Sequence, residues 1–199
     1  MIEYRFYEPK DTELRAFTEN DQMVIEGYAA KYGVMSHLLT EKGLSFNEVL
    51  ERGTFKDHLK DDTYLTYNHN KDKVLAATKN DTLVLSDDET GLKFRAVLNN
   101  TTDSKDVYER ILRGDVNENS FGFVPDPKKQ KIERIAGSDP IKRISGIEML
   151  FDVAVVTRAA YPETELYVRD LDESETEKLV EINKEPYEDQ VHILKLKLK

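Results

Sequence analysis

The sequence predicts an α+β fold in which short, mostly antiparallel strands close into a small β-barrel beside two helices. Three observations support this prediction. Apolar and aromatic residues alternate with polar ones over short segments, turn-forming clusters separate these segments, and only two segments have helical spacing. Closing the strands into a barrel would leave no sheet edge exposed.

Strand candidates follow one another along most of the chain. The first alternates over residues 2–7, and the second covers residues 23–32, which are rich in β-branched and aromatic side chains. Residues 83–85 and 94–98 flank an acidic turn that ends at Gly91, a residue type that tolerates positive φ, which predicts an antiparallel hairpin. The further candidates are residues 63–67, 74–78, 120–124, 132–135 and 149–157.

Two helices are predicted among these strands. The clearer one begins at Asp103 or Ser104, either of which can cap the first turn, and ends at Gly114. Its apolar residues recur at i, i+4 spacing. A shorter helix is predicted after Gly53, with Phe55 on its apolar side.

The composition limits the classes of protein to consider. The chain has 199 residues, a formal net charge of −10 and no cysteine. We expect one domain over residues 1–169, followed at 170–199 by an acidic linker and tail that is flexible or self-processed. The lack of cysteine excludes thiol catalysis and thiolate zinc sites. The negative charge argues against a nucleic-acid partner. No signal peptide or membrane-spanning segment is recognisable, so we expect a cytosolic protein without a membrane partner.

Three residues at strand edges have the chemistry needed for a serine nucleophile. Ser120 enters an aromatic strand segment beside Gly122, where backbone N–H groups could meet an oxyanion, but it could also simply cap the preceding turn. His69 follows a strand among small polar residues, as a general base would, although lone histidines are commonly structural. Asp152 lies in an apolar run, where an imidazole N–H could stabilise it, unless it is a partly exposed acid on the outer face of a strand. Glu148 is the alternative acid.

Other sites fit the sequence less well. Ser145 is the nearest rival serine, but no glycine stands two residues before it, so the Gly-x-Ser-x-Gly motif is absent. A metal site built on His69 and nearby acids lacks a second histidine at ligand spacing. We therefore expect neither a metal nor a cofactor.

The candidate residues belong to a series of segments whose order and spacing are more specific than any single motif. These segments are residues 25–30, 51–55, 68–69, 91–94, 120–123, 143–144, 150–157 and 160–162. Together they resemble the prohead (procapsid maturation) protease family of tailed bacteriophages, over most of residues 24–168. The resemblance implies a serine peptidase related in fold to herpesvirus assemblin, a compact β-barrel with surrounding helices.

The resemblance also implies a role for each candidate residue. Ser120 matches the nucleophile, His69 the base, and Asp152 the third, acidic member, where many relatives have Glu. We further expect the oxyanion to be met by backbone N–H groups near Ser120 or by a cation such as Arg143.

Three positions depart from the pattern of the family. Asn119 stands where relatives often have Met, Ala154 where Ser is common, and Ala159 where Pro is usual. None of these changes removes a reacting group, but Ala154 lacks a hydroxyl that could orient Asp152.

The family also implies partners and a location. Its members act inside the phage procapsid, in the host cytoplasm, where they cleave scaffold and major capsid protein segments during head maturation. We expect self-association as well, as a restraint on activity before assembly. The alternative is a catalytically inactive assembly or scaffolding factor with the same fold, and a metal-dependent hydrolase is a remote third candidate.

Overall fold

The structure, a computed structural model, describes residues 3–7, 13–41, 43–134 and 136–157. In these ranges the chain forms thirteen strands and one α-helix, so the predicted α+β fold is confirmed. The strands are β1 (Glu3–Tyr7), β2 (Arg15–Glu19), β3 (Gln22–Lys31), β4 (Leu39–Glu41), β5 (Leu44–Leu50), β6 (Tyr64–Tyr67), β7 (Asn70–Ala77), β8 (Leu83–Asp87), β9 (Gly91–Val97), β10 (Glu118–Pro125), β11 (Gln130–Glu133), β12 (Ile141–Ile144) and β13 (Ile147–Val156). The helix, α1, covers Thr102–Leu112, and two short 3-10 turns cover Thr78–Asn80 and Pro127–Lys129. The predicted tail, 170–199, lies outside the described residues, so the domain boundary at residue 169 stays a prediction.

The strands pair into three sheets. One has five strands in the order β1-β10-β13-β6-β7, and the other two have four each, in the orders β11-β12-β5-β4 and β2-β3-β9-β8. The β12–β5 and β13–β6 pairs are parallel, and the other pairs are antiparallel. Each sheet is open within the described strands, because its two outer strands do not pair with each other. The predicted closure into a barrel is therefore not confirmed.

One hydrophobic core joins the three sheets. Its fully buried members include Phe121 on β10, Phe94 on β9 and Ile144 on β12. The ring centroid of Phe121 lies 5.2 Å from that of Phe55, in an edge-to-face arrangement that adds to the gain from burial. Because side chains alternate along a strand, the packing that directs Phe121 into the core turns Ser120 to the opposite face of β10.

Helix α1 lies where the sequence predicted it, but its cap is different. Thr101 is the N-cap, and its side chain accepts a hydrogen bond from the backbone N–H of Ser104 at 3.3 Å. The predicted caps, Asp103 and Ser104, lie inside the first turn, where an acid still interacts favourably with the helix dipole. Gly114 follows the last turn with a φ of 79°. No helix in the described part of the chain is long and apolar enough to cross a membrane.

The second predicted helix, after Gly53, is wrong. The segment forms consecutive turns instead. The backbone N–H groups of Thr54, Lys56 and His58 each donate to the carbonyl three residues earlier, whereas an α-helix requires donation four residues back. The hydroxyl of Thr54 also donates to the carbonyl of Ile144 at 2.9 Å, which ties the turns to β12.

Gly91 is needed for a reason other than the predicted one. It opens β9 after the turn of the predicted β8–β9 hairpin, and its φ is not positive. A Cβ atom at this position would collide with the carbonyl of Ala30, next to the irregularity in β3 between Tyr28 and Ala30. Glycine therefore allows the close approach of β9 to β3.

A row of charges crosses the β2-β3-β9 sheet. Glu26 on β3 is paired in register with Arg15 on one side and Arg95 on the other. The nearly buried carboxylate accepts hydrogen bonds from Arg15 Nε at 2.8 Å and Arg95 Nη1 at 3.0 Å. Burial alone would raise the pKa of Glu26, but the two guanidinium groups outweigh it, and the pKa lies below its ordinary value of 4.5.

This arrangement predicts a pH-dependent effect of Glu26→Gln. We expect the substitution to lower the free energy of unfolding at pH 7 by about 1–2 kcal/mol, because two guanidinium groups lose an ionised acceptor. A carboxylate with a lowered pKa contributes its full stability above its unfolded pKa and loses it as the pH falls through the folded pKa. The difference in the free energy of unfolding between wild type and Glu26→Gln should therefore shrink in acid. Urea unfolding from pH 7 to pH 3 measures it. Glu19→Gln, which changes a half-exposed partner of Arg95, is the matched control with the smaller effect. A difference that is independent of pH would contradict the assignment.

Candidate active site

His69 lies at the tip of a tight hairpin. Strands β6 and β7 are joined by the two residues Asn68 and His69, with Tyr67 paired to Asn70. Both turn residues have a φ of 54°, as a type I′ turn requires. The second position of such a turn usually holds glycine, because other side chains are strained there by about 1 kcal/mol or more. A strained histidine of this kind indicates a functional constraint on the side chain.

Asn68 fastens this turn to the end of β13. Its backbone N–H donates to the carbonyl of Val155 at 3.0 Å, and its side-chain oxygen accepts from the backbone N–H of Thr157 at 2.9 Å. The turn that carries His69 is thus bound to the strand that carries Asp152.

Three adjacent strands present small residues beneath the imidazole. Ser120 on β10 pairs with Ala154 on β13, and Ala154 pairs in turn with Thr66 on β6. In the next row on the same face, Gly122 pairs with Asp152. The register therefore puts a hydroxyl and a carboxylate on neighbouring strands, both facing the turn that carries His69.

The imidazole joins the serine to the aspartate. Ser120 Oγ lies 2.6 Å from His69 Nε2, and His69 Nδ1 lies 2.8 Å from Asp152 Oδ2. The hydroxyl of Thr66 also donates to Asp152 Oδ2, at 3.3 Å. The order hydroxyl, imidazole, carboxylate is that of the proton-transfer chain of serine hydrolases.

Gly122 leaves room for the carboxylate. A Cβ atom at this position would lie 2.5 Å from Asp152 Oδ1 and 2.6 Å from the ring of Tyr4. Any larger residue would have to displace one of these groups. The structure thus gives Gly122 a spacing role, and the predicted role near the oxyanion stays a prediction.

The site is covered. Ser120 is fully buried, Asp152 is 4% exposed, and the side chain of His69 is 14% exposed. The ring of Tyr4, on β1, lies 4.3 Å from the imidazole, centroid to centroid. Burial raises the pKa of Tyr4, and the negative charge of Asp152 raises it further. A peptide can reach Ser120 Oγ only if this cover moves.

Two predicted site residues are not brought to this cluster. Arg143 lies on β12 in another sheet, where its Nε is 2.8 Å from Glu133. Among the described residues, no hydrogen bond or ion pair joins Arg143 to the serine, histidine or aspartate. Glu148, the alternative acid, is exposed on β13, while Asp152 contacts the histidine. The rival Ser145 donates to the backbone carbonyl of Lys129.

The departures from the family pattern have local explanations. Ala154 is fully buried between Ser120 and Thr66, and the hydroxyl that it lacks has a counterpart in Thr66 on the next strand. The side-chain amide of Asn119 donates to the carbonyl of Tyr28 at 3.0 Å, which links β10 to β3. Ala159 lies outside the described residues.

Three residues of the site, Asn68, Thr66 and Tyr4, were given no role in it from the sequence. Asn68 could have been found from the pattern of a two-residue turn between strands, since asparagine favours positive φ. The contacts of Thr66 and Tyr4 depend on strand pairing across the sheet, and no local pattern predicts them. No group of three or more histidine and acidic side chains in the described ranges is positioned to hold a metal ion.

The fold and this cluster define a protein with the hydrogen-bonded groups of a serine hydrolase. A family model described as "Caudovirus prohead serine protease" matches residues 10–178. The chain belongs to this family, and the predicted resemblance is confirmed. Searches of curated proteins and of solved structures found no match. Strand β1, with Tyr4, precedes the matched residues.

The strained turn predicts an unusual ranking of two variants. His69→Gly and His69→Ala remove the same hydrogen bonds, but only glycine is unstrained at positive φ. We expect the glycine variant to be the more stable of the two by about 1 kcal/mol, as measured by urea unfolding.

Asp72 provides the control, since it is an exposed residue of β7 whose φ is not positive. Here Asp72→Gly should be less stable than Asp72→Ala, because glycine weakens a strand. The same order at both positions would mean that the turn at His69 is not strained.

Proposed function

We propose that this protein is a serine endopeptidase that cleaves scaffold and major capsid protein segments inside the procapsid during head maturation. Membership of a prohead serine protease family supports the broad class. The observation that carries the proposal is the contact of His69 with Ser120 at 2.6 Å and with Asp152 at 2.8 Å.

In this mechanism His69 moves the proton. Nε2 accepts the hydroxyl proton while Ser120 Oγ attacks the carbonyl carbon of the substrate peptide. Asp152 accepts a hydrogen bond from Nδ1–H, which fixes the tautomer and stabilises the imidazolium. Collapse of the tetrahedral intermediate breaks the C–N bond, and His69 gives its proton to the leaving amine. Water then attacks the acyl-enzyme by the same route and restores the serine.

Thr66 and Gly122 position the acid in this scheme. The Thr66 hydroxyl donates to the same oxygen of Asp152 that faces His69. The carboxylate is nearly buried, and its Oδ1 has no hydrogen-bond partner among the described residues. Such a group depends strongly on the donors that it retains.

Backbone N–H groups of β10 are the better candidates for oxyanion donors. They adjoin Ser120, whereas Arg143 is paired with Glu133 in another sheet. Once β1 no longer pairs with that edge of β10, such fixed donors need no further rearrangement when charge develops on the carbonyl oxygen.

The mechanism predicts the effects of single substitutions on cleavage. When the chain is co-expressed with its capsid protein, Ser120→Ala and Asp152→Asn should each slow cleavage by at least about a thousandfold, because each breaks the proton-transfer chain. Gel analysis of the capsid protein measures the outcome. Ser145→Ala removes a serine from outside the site and is the matched control, which should cleave at the wild-type rate. Wild-type cleavage by Ser120→Ala would overturn the proposal.

An inactive assembly factor is the second candidate, and the complete burial of Ser120 favours it. A folded chain that binds capsid protein saturably, but whose Ser120 never reacts with a fluorophosphonate under assembly conditions, would be such a factor. Labelling of Ser120 would favour the peptidase.

We also propose that activity requires self-association or confinement with capsid protein in the procapsid, within the host cytoplasm. High local concentration would then restrict cleavage to assembled particles. Residues 170–199 are a candidate for self-trimming. Intact mass before and after procapsid assembly would reveal the loss of this segment.

A further inference from the structure

We propose that β1 occupies the docking edge for the substrate, and that a substrate peptide binds there as an antiparallel strand on β10 after displacing β1. The inference rests on the proposed function and deepens it, because it states how a buried serine is reached and which peptide fits.

The first argument is the position of β1 in its sheet. Strand β10 pairs with β13 on one side and with β1 on the other, and β1 is the outermost strand. The register pairs Tyr4 with Gly122 and Phe6 with Ser120. Removal of β1 would expose the backbone edge of β10 directly beside Ser120. An open edge of this kind binds extended peptides by adding a strand.

The second argument is what β1 does to the reacting groups. The ring centroid of Tyr4 lies 4.3 Å from that of His69. The same ring fills the space that a Cβ atom on Gly122 would need, next to Asp152. With β1 in place Ser120 has no exposed surface. Neither a peptide carbonyl nor the water for deacylation has a path to Oγ.

The third argument is that an ion pair helps to hold β1 in place. Arg5 points to the opposite face from Tyr4 and donates two hydrogen bonds to Glu48, from Nε at 2.5 Å and from Nη2 at 2.6 Å. Burial alone would lower the pKa of Arg5, but Glu48 and Glu3 outweigh it and the pKa is raised. Lys142 Nζ lies 3.9 Å from Glu48 and 3.7 Å from Glu3. A bidentate arginine–carboxylate pair has a specific geometry, and an arginine on another strand can form it again.

The fourth argument is that β1 lies outside the family match, which begins at residue 10. The strands that carry Ser120, His69 and Asp152 all lie within the match. The matched residues therefore contain these three groups but not the strand that covers them.

These observations define the chemistry of the peptide that fits. Displacement of β1 frees the backbone donors and acceptors on that side of β10, and an incoming strand would take over the same hydrogen bonds. If the peptide leaves one of these N–H groups beside Ser120 unpaired, that donor can meet the oxyanion. The nearly buried Glu48 would lose both hydrogen bonds from Arg5 and keep, among the described residues, only Lys142, 3.9 Å away, unless the peptide supplies an arginine. The edge thus favours an extended peptide with an arginine at the position that faces Phe121, where Arg5 lies now.

Labelling of Ser120 by an alkyl fluorophosphonate tests the cover in the full-length chain. We expect Arg5→Met, which removes both hydrogen bonds to Glu48, and Tyr4→Ala, which uncovers His69, each to react at least about ten times faster than wild type, because the open population rises. Arg15→Met is the matched control, since it removes an arginine–glutamate pair from another sheet and should react like wild type. Circular dichroism identifies any chain that is unfolded. Equal labelling rates in folded wild-type and variant chains would overturn the proposal that β1 covers the site.

A second experiment needs no catalysis. Amide hydrogen exchange is measured on the full-length Ser120→Ala chain with increasing amounts of a synthetic peptide of residues 1–9. The added peptide should displace β1, so exchange at Glu3–Tyr7 rises saturably while β13 stays protected. A peptide with Glu in place of Arg5 should require a concentration at least about tenfold higher for the same rise in exchange. Its carboxylate would face the carboxylate of Glu48. No saturable rise with the native peptide, or equal action of the two peptides, would overturn the docking site.

The two experiments separate this proposal from the proposed function. If no folded variant labels at Ser120, even when it is co-assembled with capsid protein, the peptidase proposal fails, and the peptide experiment alone decides whether the β10 edge is a docking site. If the wild-type chain labels as fast as the variants, the peptidase proposal stands and the proposal that β1 covers the site is wrong.

Discussion

The antiparallel register between β10 and β13 determines where the serine and the carboxylate of the candidate site lie. It pairs Ser120 with Ala154 and Gly122 with Asp152, and it stays regular up to that second pair. Because side chains alternate with a period of two, a slip of one residue would turn Ser120 or Asp152 to the other face of the sheet. The apolar residues between them, such as Phe121 and Val153, are fully buried and strongly disfavour such a slip. Core packing thus fixes the site without contacting it.

The histidine is held differently, by a turn that breaks a local rule. His69 sits where glycine would be most stable, and Asn68 binds the strained turn to the end of β13. Apart from asparagine and aspartate, which tolerate positive φ, only Glu13 and His69 among the described residues break this rule. A broken local rule can mark a residue selected for something other than stability. In this protein the broken rule coincides with the group that contacts both other members of the cluster.

Some parts of this arrangement could be predicted from the sequence and others could not. Strands β9, β10 and β13 were found because their apolar and β-branched residues form clear runs. Strands β5 and β12 were missed because each carries a buried charge, Glu48 on one and Lys142 on the other, and a pattern of hydrophobicity assigns charged residues to the surface. The same cluster of charges holds β1. The covering role of Tyr4 was therefore invisible to any local pattern, although the strand itself was predicted.

The parallel pairing of β13 with β6 has a consequence for the order of events during synthesis. His69 and Asp152 are separated by 83 positions, and Asp152 lies on the last described strand, which is inserted between two earlier ones. Contacts between such distant positions form late, because a long loop must close first. A nascent chain that has not yet released β13 from the ribosome has the serine and the imidazole but no carboxylate to complete them. The order of translation thus supplies the third member of the hydrogen-bonded cluster only with the last described strand.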